Sequence, residues 1–320
     1  MPKSKNQYLS DAWSNGLFDR KVVFCTGGSG TICSAQVRAM VHLGADACIV
    51  GRNVENAEQV AKDIATCRKG AKVLGIGNID VRKIESLNAA VERCVKELGG
   101  LDFVIAGAAG NFLAPITQLS TNAFKSVIDI DVLGSYNTLK ATIPHLIKSA
   151  DAHRTDGVNT PVGGTGGRII FISATIQYTG VPLQTHLGAA KSAVDSLSGS
   201  IALEMGPRGV TSNVICPGAI AGTEGLSRLA KAESSGSKDG LETIPLGRLG
   251  TVKEIADATV FLFSDAGSYV NGDRVIVDGG AWRMGQGIAG PGSGFAYPKS
   301  VLSDAPISGV QGTKKSPTKL

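Results

Sequence analysis

The run Val22-Val23-Phe24-Cys25-Thr26-Gly27-Gly28-Ser29-Gly30-Thr31-Ile32-Cys33 decides the fold. A short apolar strand enters a turn rich in glycine, and an amphipathic stretch through Val41 leaves it as a helix. Working outward from Val22–Cys25, further strands are expected at Ala47–Val50, Val73–Ile76, Phe103–Ala106, Ile169–Ile172, Thr211–Ile215 and Arg274–Val277, with helical stretches between them. Strands separated by helical crossovers pair in parallel. The expected fold is α/β: a single doubly wound domain with a seven-stranded parallel sheet flanked by helices.

The 320 residues allow two domains on length alone, but one α/β unit plus appendages accounts for them better. That unit is placed at residues 20–284. Residues 1–19 are polar and read as a loose N-terminal arm. The Gly, Thr, Asp and Pro near 150–167 read as a surface insertion, and the Gly, Ser and Lys near 222–240 as a mobile lid. Residues 285–320 read as a Gly/Pro/Ser-rich tail. A net charge of +5, with Lys and Arg scattered rather than clustered, points away from nucleic acid and is compatible with a phosphate-rich small molecule. The six cysteines form no CxxC pair and read as reduced thiols of an intracellular protein, with no metal site. No apolar run approaches ~18 residues, so no membrane span is expected.

Glycines at a strand-to-helix turn let the backbone approach a pyrophosphate, which the free N–H groups and dipole of the helix N-terminus then stabilise. Thr26, Gly27, Gly28, Ser29, Thr31 and Ile32 are therefore expected at the cofactor of a Rossmann-type site. The second strand ends in Gly51-Arg52-Asn53, where an NAD-selective site carries an acid for the ribose hydroxyl. A missing acid together with a cation that can meet a 2′-phosphate favours NADP(H) over the competing reading of a solvated Arg. After the third strand, Asp80 of Asn78-Ile79-Asp80-Val81 can accept from the adenine amino group, with Val81 beside it. After the fourth, Ala108 lies in a small-residue stretch against which the cofactor can rest.

These elements, in this order, resemble the short-chain dehydrogenase/reductase family from about Lys21 to Trp282. Cys216-Pro217-Gly218-Ala219-Ile220 looks like the family's nicotinamide-side loop, which implies cofactor contacts for Pro217, Gly218 and Ile220. Val277-Asp278-Gly279-Gly280 closes the last strand. Thr31 and Cys33 stand where the family's later turn glycines are expected. The resemblance also implies a catalytic tetrad of Asn, Ser, Tyr and Lys. In this chain those positions hold Asp131, Ala174, Leu187 and Lys191, so only the lysine is kept. Without the Tyr and Ser, ordinary ketone chemistry has neither proton donor nor oxyanion partner.

Helix spacing carries a separate observation. Phe124, Val127, Ile128, Val132 and Ser135 bracket Asp131 on one apolar stripe of a helix read over Asn122–Ser149. A carboxylate there is costly unless paired, hydrogen-bonded or protonated. The competing reading is a structural Asp bonded to nearby backbone. Lys191 has Leu187, Ala190, Val194 and Leu197 on its side of the next helix, which aims its amine inward.

Asp131 and Lys191 beside the altered Ala174 and Leu187 resemble the peroxisomal 2,4-dienoyl-CoA reductase subgroup. Three stretches support this: Ala108–Leu113, Phe124–Asp131, and Pro217–Ile220 continuing through Gly222–Leu226. The resemblance implies NADPH-dependent reduction of a 2,4-dienoyl-CoA to a 3-enoyl-CoA. It places the substrate against Asn111, Phe112, Leu113 and Thr223, gives Asp131 and Lys191 catalytic roles, and keeps Tyr178 as a rival proton donor. Thr318-Lys319-Leu320 fits a loose form of the peroxisomal import tripeptide, implying an import receptor and a peroxisomal location. A homo-oligomer, dimer or tetramer, is inherited from the family. The alternatives are another acyl-CoA or carbonyl reductase of the family, or an NADP(H)-binding pseudoenzyme.

Overall fold

The computed structural model describes residues 3–153, 166–223, 226 and 244–284. Most of the insertion near 150–167, most of the lid near 222–240, the tail 285–320 and its Thr318-Lys319-Leu320 ending lie outside the described residues.

The strands are β1 (Val22–Thr26), β2 (Asp46–Val50), β3 (Val73–Ile76), β4 (Phe103–Ala106), β5 (Arg168–Ile172), β6 (Thr211–Pro217) and β7 (Arg274–Val277). Between them run α1 (Thr31–His42), α2 (Val54–Ala65), α3 (Ile84–Leu98), α4 (Thr121–Val127), α5 (Gly134–Asp151), α6 (Ile176–Thr179), α7 (Thr185–Met205) and α8 (Val252–Phe263). The sheet is parallel throughout, in the order β3-β2-β1-β4-β5-β6-β7. All seven strands fall where the sequence placed them, within two residues at their ends.

Successive side chains of a strand point to opposite faces. Val23 and Cys25 of β1 therefore join one core, with α1, α2 and α8, while Val22 and Phe24 join the other, with α3, α5 and α7. Phe103 and Ile105 of β4 face the first core, Val104 and Ala106 the second. All five residues of β1 are buried, as a strand covered on both sheet faces requires.

The N-terminal arm corrects an expectation. It is packed rather than loose: Tyr8, Leu9 and Phe18 are buried in the core of α1 and α8. The Ser10 N–H and the Trp13 indole N–H both donate to Asp257 Oδ1 on α8, at 3.0 and 2.8 Å. Its few apolar anchors have no strand or helix period, so periodicity could not reveal them.

The strand order reverses between β1 and β4, which opens a crevice beyond their carboxyl ends. Thr26 closes the floor of that crevice. It is buried, and its hydroxyl accepts the N–H groups of Gly107 (3.2 Å) and Ala108 (3.4 Å). Gly27 has φ +66°, and a Cβ there would stand 2.9 Å from the Gly107 carbonyl. Cys33 occupies the position of a later turn glycine, and space for it comes from across the crevice. A Cβ on Gly107 would collide with the Cys33 sulfur. Gly107→Ala should therefore lower stability by about 1–3 kcal/mol, as overpacking does. Adding Cys33→Ala should recover most of that loss, both measured as denaturant midpoints.

Candidate active site

The crevice gathers the residues expected at the cofactor, at the ends of β1, β2 and β4. A Cβ on Gly28 would come within 2.6 Å of Ile49 Cβ, so this glycine lets the turn lie against β2. Gly30, the residue before α1, offers no side-chain cap, which leaves the N–H groups of the first turn available to an anion. Ser29, Thr31 and Ile32 are partly exposed there. A dinucleotide pyrophosphate fits this cradle. Gly51 faces Ser29, since a Cβ on it would lie 3.4 Å from the Ser29 hydroxyl. Arg52, the next residue, is exposed and makes no ion pair among the described residues.

Other expected contacts are partly engaged within the chain. Asn53 caps α2, accepting the Asn56 N–H at 2.8 Å. Asp80 binds Arg82, whose guanidinium holds the carboxyl down at about 2. Val81 is buried, and its carbonyl accepts from the Asn137 amide at 2.9 Å. On the far side, the Gly218 N–H donates to the Val277 carbonyl at 3.0 Å, and Gly218 packs against Asp278 where no Cβ would fit. Pro217 and Ile220 are buried beside it. The Thr223 hydroxyl donates to the Ile220 carbonyl at 2.8 Å.

The centre of the site is an ion pair. Asp131 is 1% exposed and Lys191 6%, and Lys191 Nζ lies 2.9 Å from Asp131 Oδ1. The other carboxylate oxygen accepts the Gly110 N–H at 2.8 Å, and Lys191 also donates to the Ile172 carbonyl at 3.0 Å. Backbone bonding and charge pairing thus both hold Asp131. The helix expected over Asn122–Ser149 is interrupted here: α4 and α5 are joined by a π turn, Ile128–Leu133, that carries Asp131. Such turns insert a residue into the helical ladder and recur at functional sites. Leu187 and Ala174 belong to a separate small apolar cluster with Val127, Ile176, Ala190 and Phe112. The positions that the resemblance assigns to a Tyr and a Ser are thus apolar packing here.

Tyr178 belongs to a different polar group. Its hydroxyl donates to Asp195 Oδ2 at 2.5 Å and lies 3.5 Å from the Cys216 sulfur. Gln177 donates to the same Asp195 oxygen at 2.9 Å. Burial, reinforced by the bond to Asp195, pushes the Tyr178 phenol well above its ordinary range.

The loop bearing Asn111, Phe112 and Leu113 is held from the entry to α7. The Asn111 amide donates to Gln184 Oε1 at 3.2 Å, and the Ala114 N–H donates to the Leu183 carbonyl at 3.0 Å. His186 lies 3.0 Å through Nε2 from the Phe112 carbonyl and stacks on the Phe112 ring. Sequence reasoning missed Gln184, His186 and Asp195. The available signal was their closeness in the chain to Leu187 and Lys191, which by itself does not separate packing from function.

A family model described as enoyl-(acyl carrier protein) reductase matches residues 28–281. A peroxisomal 2,4-dienoyl-CoA reductase, (3E)-enoyl-CoA-producing, of Saccharomyces cerevisiae is 49% identical over 86% of this chain and 88% of its own length. Its counterpart in Danio rerio is 40% identical over 87% and 86%. A solved short chain dehydrogenase from Bacillus anthracis is 30% identical, covers 82% of this chain and 96% of its own, and has a TM-score of 0.69. The chain belongs to the short-chain dehydrogenase/reductase family. Within that family, its similarity to these relatives agrees with the subgroup suggested by Asp131, Lys191, Ala174 and Leu187.

Removing one partner of a buried ion pair strands the other charge. Lys191→Met should therefore cost about 3–5 kcal/mol in unfolding free energy. The double change Asp131→Asn with Lys191→Met should lose less than the lysine change alone, a sign that equilibrium denaturation resolves directly.

Proposed function

We propose that this chain reduces a 2,4-dienoyl-CoA to a 3-enoyl-CoA in the peroxisome, with NADPH as the hydride source and the Asp131–Lys191 pair at the reacting end. The observation that carries the reading is that pair, held out of water beside an apolar cluster that has replaced the family's Tyr and Ser. The relatives' names support the substrate, the 3-enoyl product and the compartment.

When bound, the reduced nicotinamide supplies a hydride to the δ carbon of the conjugated thioester. The electrons move through the diene to the thioester oxygen, where the Asn111 side chain or the Phe112 main-chain N–H donates a hydrogen bond to the dienolate. Lys191 orients the cofactor and brings positive charge to the site. Asp131 holds and polarises a water that delivers a proton to the α carbon, which leaves the double bond between the β and γ carbons. Tyr178 is the weaker proton donor, because its hydroxyl is bonded to Asp195 and its phenol is pushed upward. Arg52 meets the 2′-phosphate and selects NADPH over NADH. Membership of the family supports assembly into a homo-oligomer, and Thr318-Lys319-Leu320 is a tripeptide of the kind an import receptor reads.

Asp131→Asn should lower NADPH consumption with a 2,4-dienoyl-CoA by about 10²- to 10⁴-fold, the range of a lost general acid, while NADPH still binds. Near-normal turnover in that variant, with loss in Tyr178→Phe, would transfer the acid role to Tyr178. Arg52→Ala should raise the NADPH Kd by about 10- to 100-fold, as loss of a charge-assisted bond does. The NADH Kd should barely move, and equal losses for both would remove the 2′-phosphate contact.

A further inference from the structure

His186 opens α7 and is 0% exposed. It grips Phe112 twice. Its Nε2 lies 3.0 Å from the Phe112 carbonyl, and its ring stacks on the Phe112 ring with centroids 4.2 Å apart and planes 16° from parallel. A carbonyl can only accept, so Nε2 carries the hydrogen and Nδ1 is a bare acceptor. That Nδ1 is buried without a hydrogen-bond partner among the described residues. Burial lowers the imidazole pKa, against the opposing influences of the Phe112 carbonyl and Asp131, and so favours the neutral ring.

A histidine is a poor choice if the position only fills space. Its buried Nδ1 goes unmet among the described residues, a cost that a Phe or Leu would avoid only by leaving the Phe112 carbonyl without its donor. What histidine adds is the donor to Phe112, on the loop that also carries Asn111. The loop has three further ties: Gly110 to Asp131, Asn111 to Gln184, and Ala114 to Leu183. Of these contacts, only His186 holds both the main chain and the ring of Phe112.

We infer that His186 is a positioning residue of the reaction. It acts through Phe112, setting the loop edge that meets the thioester of the acyl-CoA. The inference rests on the reaction proposed above, with Asn111 and Phe112 as the groups facing the thioester oxygen.

Two substitutions separate the two grips. His186→Phe keeps an aromatic ring for the stack and removes the donor, whereas His186→Gln restores a donor and gives up the stack. With a 2,4-dienoyl-CoA and NADPH, His186→Phe should lower kcat by about tenfold or more, the scale of a slightly misplaced reacting group. Its NADPH Kd and Tm should stay near the parent's. His186→Gln should recover most of kcat while the KM for the acyl-CoA stays raised. Parent-like kcat and KM in His186→Phe would overturn the inference. It would also fall if kcat, NADPH affinity and Tm declined together and Gln did no better than Phe, since that is the signature of a structural role. A parent protein that does not consume NADPH with the dienoyl-CoA would sink the reaction reading and this role together. An active parent with indifferent His186 variants would sink this role alone.

Discussion

The Asp131 carboxylate and the Lys191 ammonium lie 2.9 Å apart in a place where water barely reaches either. Neither charge is tolerable there without the other, because desolvation costs each several kcal/mol and only close pairing with added hydrogen bonds offsets it. The surroundings meet that demand from three directions. The π turn delivers the carboxylate, the loop after β4 donates through Gly110, and the Ile172 carbonyl at the end of β5 accepts a hydrogen bond from Lys191. A single electrostatic requirement therefore ties together the β4 loop, the α4–α5 junction, β5 and α7.

The same requirement shapes the chemistry. A Tyr and a Ser at positions 187 and 174 would bring polar groups for work on a carbonyl. Leucine and alanine bring apolar surface instead, and what remains polar is the charge pair and the loop of Asn111 and Phe112. The reduction proposed for this chain would use that distribution: an apolar wall along the acyl chain, a donor at the distant oxygen and a proton source at the α carbon. Tyr178 shows how the remaining polar groups are kept apart, since it is drawn into its own network with Asp195, Gln177 and Cys216.

At the cofactor end the altered glycine turn is resolved by compensation across the crevice. Cys33 adds volume to α1, and Gly107 removes it from the end of β4, so the backbone approach at Gly27 and Gly28 survives. The uncapped start of α1 keeps its anion-binding character. The irregular turn thus need not weaken the cradle, because close approach depends on the sum of facing volumes rather than on a glycine at each motif position.

The seven strands, their parallel pairing and the location of the dinucleotide crevice were legible in the sequence. Apolar periodicity and turn residues are local properties, and crossover connections leave few ways to assemble them. The inward placement of Asp131 and Lys191 was legible too, since apolar residues flank both at helical spacing, although Asp131 itself lies on the π turn. Tertiary structure decided the rest. That these two residues bond each other, that Asn53 is occupied in capping α2, that Tyr178 answers to Asp195 and that Tyr8, Leu9 and Phe18 anchor the arm all depend on contacts between distant segments. His186 is the sharpest case: its meaning comes from Phe112, 74 positions away, and no periodicity encodes a contact across that separation.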